Sequence, residues 1–299
     1  MTSKNDAISR SYHIGESCAF ADGPGVWPIT LGQRQRTNAL GWTFTTLDAA
    51  LSPQRQANHI VELVERDVDA LTSYTLDAGV AEPAYAEAAA AAIPVVTFGT
   101  ASPSALTTIH QRVDSAACAV DSATYLASRI PGARTLVIGG PPIPALAART
   151  ASFLDAAAKV GLKIVAREDN VGDVEETARP IAASLLDVHP DIEAIWCFND
   201  YTALAAGKEL RRRRIAVRCG SHPGVIVSGI GGIPAMIDAI RQGLATFTYD
   251  SRPVDAGRAA IDAIEHLLVH DKRPPPEVWI DFARYDLANA GAYLPWGDR

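Results

Sequence analysis

Ala194-Ile-Trp-Cys-Phe-Asn199-Asp200-Tyr201-Thr-Ala-Leu-Ala-Ala-Gly207 is the stretch whose reading decides the fold class. A compact apolar run reads as a buried strand, two polar residues follow at once, and an Ala/Leu segment of helical composition comes next. In an open α/β sheet, ligands collect where strand ends give way to helix starts. Asn199 therefore stands at the C-terminal edge of a sheet. Asp200 or Thr202 is available to cap the helix that follows.

The same grammar extends in both directions. Strands are expected over 12–19, 42–47, 69–75 and 93–99. Between them lie a helix stopped by Gly41, a second opened by Ser52-Pro53, and an alanine-rich third. Ala57, Ile60, Val61, Val64 and Val68 mark the buried face of the second helix. After Gly99 the alternation restarts, with strands expected over 135–139, 163–167, 194–198, 225–228, 245–249 and 278–282. Strand and helix repeated with short connections predict doubly wound parallel sheets. The restart predicts two α/β lobes with a cleft between them.

Composition bounds the function. Of the 299 residues, 48% are hydrophobic and 20% charged, as in an ordinary soluble globular protein. A net charge of -7 argues against a nucleic-acid surface. The one basic run, Arg211 to Arg214, closes a helix and complements the negative end of its dipole. No apolar run is long enough to span a bilayer. Met1 to Asp6 lacks the apolar core of a signal peptide, so either the protein is cytoplasmic or a leader was removed ahead of Met1. Cys18, Cys118, Cys197 and Cys219 show no paired spacing and read as small buried hydrophobes.

His189-Pro-Asp-Ile-Glu-Ala-Ile-Trp-Cys-Phe-Asn-Asp200, Val225-Ile-Val-Ser-Gly-Ile-Gly-Gly-Ile-Pro-Ala-Met and Ile240-Arg-Gln-Gly-Leu-Ala-Thr-Phe-Thr-Tyr-Asp250 carry a wider pattern, completed by Arg252-Pro-Val-Asp-Ala-Gly-Arg. This pattern resembles the type I periplasmic sugar-binding proteins of the ribose-binding kind, which share it with ligand-sensing domains of lactose-repressor-type regulators. Leu40-Gly-Trp and Ile93-Pro-Val-Val fit the same template in the first half. The resemblance implies two lobes joined by a three-crossover hinge, with crossings near Arg112, Asp250 and Pro275. The lobes are then 1–112 plus 251–275 and 113–250 plus 276–299.

The resemblance also implies a set of ligand positions. Arg149 falls where the family places a ligand-binding arginine, whose fork of donors suits hydroxyls or a carboxylate; an exposed helix arginine is the alternative. Asn199 matches a binding asparagine, and equally suits a plain helix cap. Asp250 matches a polar contact at the hinge, or else a hinge residue facing water. Trp27, or its neighbours Phe20 and Val26, takes the place where the family stacks rings on a sugar, with Tyr74 a weaker candidate; core packing is the alternative for each. Asp173 completes the set. Gly99 and Gly231 stand where the family has aspartates. Their loss points to a ligand that is bulkier, less hydroxylated or partly anionic, because Arg149 would lack its acidic counterweight. Gly231-Gly232 could also present backbone N–H groups to an anion.

No His-Glu-x-x-His, Gly-x-Ser-x-Gly, P-loop or Gly-x-Gly-x-x-Gly motif occurs, and the seven histidines are scattered, so neither an enzyme nor a metal or other cofactor is expected. The expected function is that of a monomeric receptor for a sugar, polyol or sugar derivative. It would feed the permease of an ABC-type importer from an extracytoplasmic position. The alternative is a cytoplasmic effector domain without its DNA-binding headpiece.

Overall fold

The computed structural model describes residues 10–23, 25–114, 116–142 and 144–298. Along the chain run β1 (His13–Cys18), α1 (Trp27–Ala39), β2 (Thr43–Asp48), α2 (Pro53–Glu65), β3 (Ala70–Tyr74), α3 (Ala78–Ala90), β4 (Val95–Phe98) and β5 (Thr107–Gln111). There follow α4 (Ala116–Arg129), β6 (Arg134–Gly139), α5 (Pro144–Lys159), β7 (Lys163–Asp169), α6 (Glu175–Val188), β8 (Ala194–Cys197), α7 (Asp200–Arg212) and β9 (Ile226–Gly231). Then come α8 (Pro234–Arg241), β10 (Phe247–Asp250), α9 (Pro253–Leu268), β11 (Glu277–Ile280) and β12 (Ala283–Asp286).

Two α/β units result. One takes the described residues up to Gln111 and Arg252–Ile280; the other takes Arg112–Ser251 and Asp281–Asp298. The sheet of the first unit has the order β11-β5-β4-β3-β1-β2, every neighbour parallel. That of the second is β12-β10-β9-β8-β6-β7, parallel except where β12 runs against β10. Parallel strands of this kind are buried on both faces, which is why β8 reads as a short unbroken apolar run and why β3 and β4 are buried almost throughout, polar residues included.

In the first unit Ile14, Ile29, Val96, Phe98, Ile109 and Ile261 fill one face of the sheet. Ile60, Leu63, Leu71 and Tyr85 fill the other. Helices α1 and α9 cross very closely. A Cβ on Gly32 would sit 2.1 Å from the carbonyl oxygen of Val254, and one on Gly257 would sit 2.0 Å from that of Ile29. Any larger residue would push the helices apart in a region already packed to crystal-like density. Arg36 bolts the same pair at its rim, reaching Asp262 and Glu265 at 2.6 Å each. In the second unit Trp196 of β8 stacks on Phe153 of α5 with ring centroids 4.3 Å apart, both fully buried. All four cysteines are free and buried.

One strand is added to those expected, and another is divided. The segment 107–111 is a strand although it reads Thr-Thr-Ile-His-Gln, because its threonines bury their hydroxyls in paired hydrogen bonds. Thr108 meets Thr97 at 2.8 Å, and Thr107 donates to the Pro275 carbonyl at 2.7 Å. The single strand expected over 278–282 is two. β11 pairs with β5 in the first sheet and β12 with β10 in the second, so the third crossing follows Ile280 rather than Pro275. Phe282 packs against the core of the second unit, which draws the chain over at Asp281.

Candidate functional site

In the second unit the C-terminal end of β8 organises a polar cluster. Asn199 adopts an extended conformation and its side-chain oxygen accepts the Thr202 N–H at 2.9 Å, so Asn199 itself is the N-cap of α7. Its amide nitrogen is left to donate elsewhere, and it does so to Asp173 Oδ1 at 2.6 Å. Arg149 donates from Nη1 to the Phe198 carbonyl at 2.9 Å, which sets the guanidinium against the end of the same strand. Asn199 thus uses its two hydrogen-bonding ends separately, one to cap α7 and one to hold Asp173.

Asp173 sits in the left-handed region at φ 58°, in the turn between β7 and α6. Buried Asn170 shapes that turn. It donates to the Val174 carbonyl at 3.1 Å and to Thr202 Oγ1 at 3.0 Å, and accepts from Thr177 Oγ1 at 2.6 Å. Burial pushes the Asp173 carboxyl above its ordinary value, while the Arg149 charge and the Asn199 hydrogen bond pull it back. Asp173 therefore lies within electrostatic reach of Arg149. An asparagine, a guanidinium and a carboxyl group gather at one strand end.

Asp200 does not cap α7. It points inward and is fully buried, accepting from Thr248 Oγ1 at 2.5 Å and from the Ile233 N–H at 3.0 Å, with the Gly232 N–H as a further donor. Desolvation by burial pushes its carboxyl up to about 7 against these donors. The Gly232 N–H, which could otherwise be offered to a bound anion, turns to this internal carboxyl instead. The glycines are steric requirements: a Cβ on Gly231 would sit 3.0 Å from Asp200 Oδ2, and one on Gly232 2.5 Å from the Asp250 Cα. Gly232 also has φ 73°, which L side chains rarely adopt.

Asp250 ends β10 and is fully buried, so the reading of a hinge residue facing water is overturned. Trp296 donates its indole N–H to Asp250 Oδ1 at 3.4 Å, and Tyr293 donates its hydroxyl to the Gly232 carbonyl at 2.8 Å. Neither aromatic was singled out from the sequence. The signal available was two bulky aromatics in a C-terminal segment of mostly small and apolar residues.

In the first unit the aromatic positions divide. Phe20 and Trp27 are 37% and 40% exposed beside the first turn of α1, so core packing does not account for them. Tyr74 is half-buried and stacks on Phe98 at 6.5 Å between centroids. Buried Gln56 holds the end of β3 from both sides, donating to the Tyr74 carbonyl and accepting from the Leu76 N–H, each at 2.8 Å. Gly99 has φ 74°, and a Cβ there would lie 3.8 Å from the Tyr74 hydroxyl in ordinary contact. Glu16, unremarked in the sequence, is buried under Thr30, Gln33 and Thr46 at 2.9, 2.7 and 3.1 Å, with its carboxyl pushed up by burial. Among the described residues no group of three or more His, Cys, Asp or Glu could hold a metal ion.

Known proteins share this architecture. A family model described as a periplasmic binding protein domain matches residues 27–272. The ribose import binding protein RbsB of Bacillus subtilis is 22% identical over 271 residues, covering 90% of this chain and 85% of that one. An ABC transporter solute-binding protein from Actinobacillus succinogenes, solved with bound D-allose, superposes with a TM-score of 0.84 at 19% identity, covering 95% of this chain and 100% of that one. A Bacillus halodurans counterpart with bound myo-inositol gives 0.79 at 18% identity, covering 95% and 98%. The strand orders, the matched model and these relatives agree: the chain belongs to the periplasmic binding protein family, in its type I, ribose-binding-like branch.

Proposed function

We propose that this protein is a monomeric solute receptor that takes up a neutral polyhydroxyl compound, a sugar or polyol, and hands it to the permease of an ABC-type importer outside the cytoplasm. The observation that carries the reading is the Arg149–Asp173–Asn199 cluster at the end of β8. A hydroxyl both donates and accepts, so it is matched by a set that offers amide, guanidinium and carboxylate together. The charge of Arg149 is answered by Asp173, which favours a neutral ligand over an anion. Exposed Phe20 and Trp27 offer apolar faces for the C–H side of a ring. The ribose, D-allose and myo-inositol named for its relatives are all of this chemical class.

Ligand is expected to close the two units by hinge rotation, as binding proteins of this kind do. A thermal-shift screen of sugars, polyols and sugar acids should raise the melting temperature with neutral polyhydroxyl compounds, since ligand binds only the folded form. Small-angle scattering should then record a smaller radius of gyration with the best compound. Identical apo and saturated profiles, or a response to sugar acids alone, would overturn the reading.

Gly99→Asp probes the missing family aspartate. A side chain at φ 74° costs on the order of 1–2 kcal/mol, so the melting temperature should drop by a few degrees. Calorimetric affinity for a neutral polyol should hold or improve with the added acceptor. A large loss would instead indicate a ligand that fills the space beside Tyr74.

A further inference from the structure

A cavity of about 330 Å³ lies in the second unit, at the opposite end of the sheet from Asn199. Ile130, Ile192, Ile215 and Val225 wall it, and Glu193 and Arg218 add one charge of each sign. Ile130 follows α4, Glu193 precedes β8 and Val225 precedes β9, so the walls gather where strands begin. The backbone there is closely pinned. The Val225 N–H donates to the Ala216 carbonyl at 2.9 Å, and the Arg218 N–H to the Val225 carbonyl at 2.8 Å. A Cβ on Gly224 would sit 2.4 Å from the Ala216 carbonyl oxygen, so only glycine lets the two segments pass this closely. Thr246 Oγ1 secures the same segment by donating to the Arg218 carbonyl at 2.7 Å.

The backbone of Arg218 is thus fixed, while its side chain keeps a donor unspent. Its Nε is buried without a hydrogen-bond partner, a condition rare among buried polar groups. Turning the guanidinium toward the cavity breaks no hydrogen bond at Nε, and an incoming carboxylate matches the planar fork of donors. Glu193 is held in place, its Oε2 accepting the Arg134 N–H at 3.0 Å. The Arg134 guanidinium turns to Asp191 at 3.1 Å, which leaves the Glu193 carboxylate for another cation. The aliphatic walls suit a branched apolar group. We infer that this cavity binds an α-amino acid with a branched aliphatic side chain, its carboxylate on Arg218, its ammonium on Glu193 and its side chain among the isoleucines. The volume agrees, standing at the small end of ligand pockets, which begin near about 300 Å³. None of the residues proposed to bind a polyhydroxyl compound takes part, so the two readings stand or fall separately.

L-Leucine is the probe, titrated into the full chain carrying ¹³C-labelled isoleucine methyls. The methyls of Ile130, Ile192 and Ile215 should shift together and reach saturation with a Kd below about 10 mM. Isocaproate lacks the ammonium, isoamylamine the carboxylate and glycine the side chain. Each should bind more weakly than leucine by about tenfold or more, the worth of one charged hydrogen bond or of the buried apolar group. Arg218→Gln and Glu193→Gln should each weaken leucine binding by about tenfold or more as well. Arg218→Lys keeps the charge without the fork and should fall between wild type and Arg218→Gln. Isoleucine methyls remote from the cavity report that each variant is folded. Absence of a saturable shift in the three methyls overturns the inference, and so does an affinity that both glutamine variants leave unchanged. Isocaproate binding as tightly as leucine would overturn the pairing with Glu193 and with it the amino-acid assignment.

Discussion

Asp200→Ala should destabilise the second unit by about 3–5 kcal/mol, because it strands several buried donors at once, each worth about 1–3 kcal/mol when left unpaired. The Thr248 hydroxyl and the N–H groups of Gly232 and Ile233 all turn to this carboxylate. The Ile233 N–H lies at the start of α8, so the carboxylate also complements the positive end of that helix. Urea unfolding followed by circular dichroism should show the midpoint fall with little change in slope. A loss below about 1 kcal/mol would mean that water replaces the carboxylate without cost.

The same group should leave a mark on the pH profile. Its carboxyl is pushed up to about 7 in the folded chain, so between the ordinary aspartate range and about 7 the folded state keeps a proton that the unfolded state has released. Stability from this group is therefore complete at low pH, falls as pH rises through that window, and is level above it. Glu16 and Asp173, also raised by burial, act in the same direction. Asp200→Asn removes one such group, so its melting temperature should decline less between pH 5 and pH 8 than that of the wild type. Parallel curves would show that Asp200 is ionised throughout.

Arg149→Ala should weaken ligand binding by roughly tenfold to a hundredfold, since hydrogen bonds to charged groups are worth on the order of 1.5–3 kcal/mol. The change also removes the cation beside Asp173 and the donor to the Phe198 carbonyl. Arg149→Lys keeps the charge but not the planar fork, and should fall between the two. Asn199→Ala should weaken binding while also costing about 1 kcal/mol of stability, because the same side chain caps α7. Calorimetric titration with the compound found by the thermal-shift screen measures all three. Unchanged affinity in both alanine variants would place the site away from the end of β8.

What the sequence by itself determined was local. Short apolar runs ending in polar residues specified parallel strands, and apolar spacing in the intervening segments specified helices, because both periods act over a few residues. Ser52 as a cap and Gly41 as a helix stop were legible for the same reason, as was Asn199 at a strand end. Only the tertiary structure decided which side chains meet. Asp173 reaches Asn199 because β6 lies between β7 and β8 in the sheet, bringing the β7–α6 turn to the end of β8. Asp200 faces Thr248 because β9 sits between β8 and β10. The strand over 107–111 and the division of the last strand between two sheets depended likewise on partners far along the chain. A carboxylate's partner is set by strand order rather than by its neighbours in sequence. The charge balance of the site was therefore invisible until the sheets were assembled.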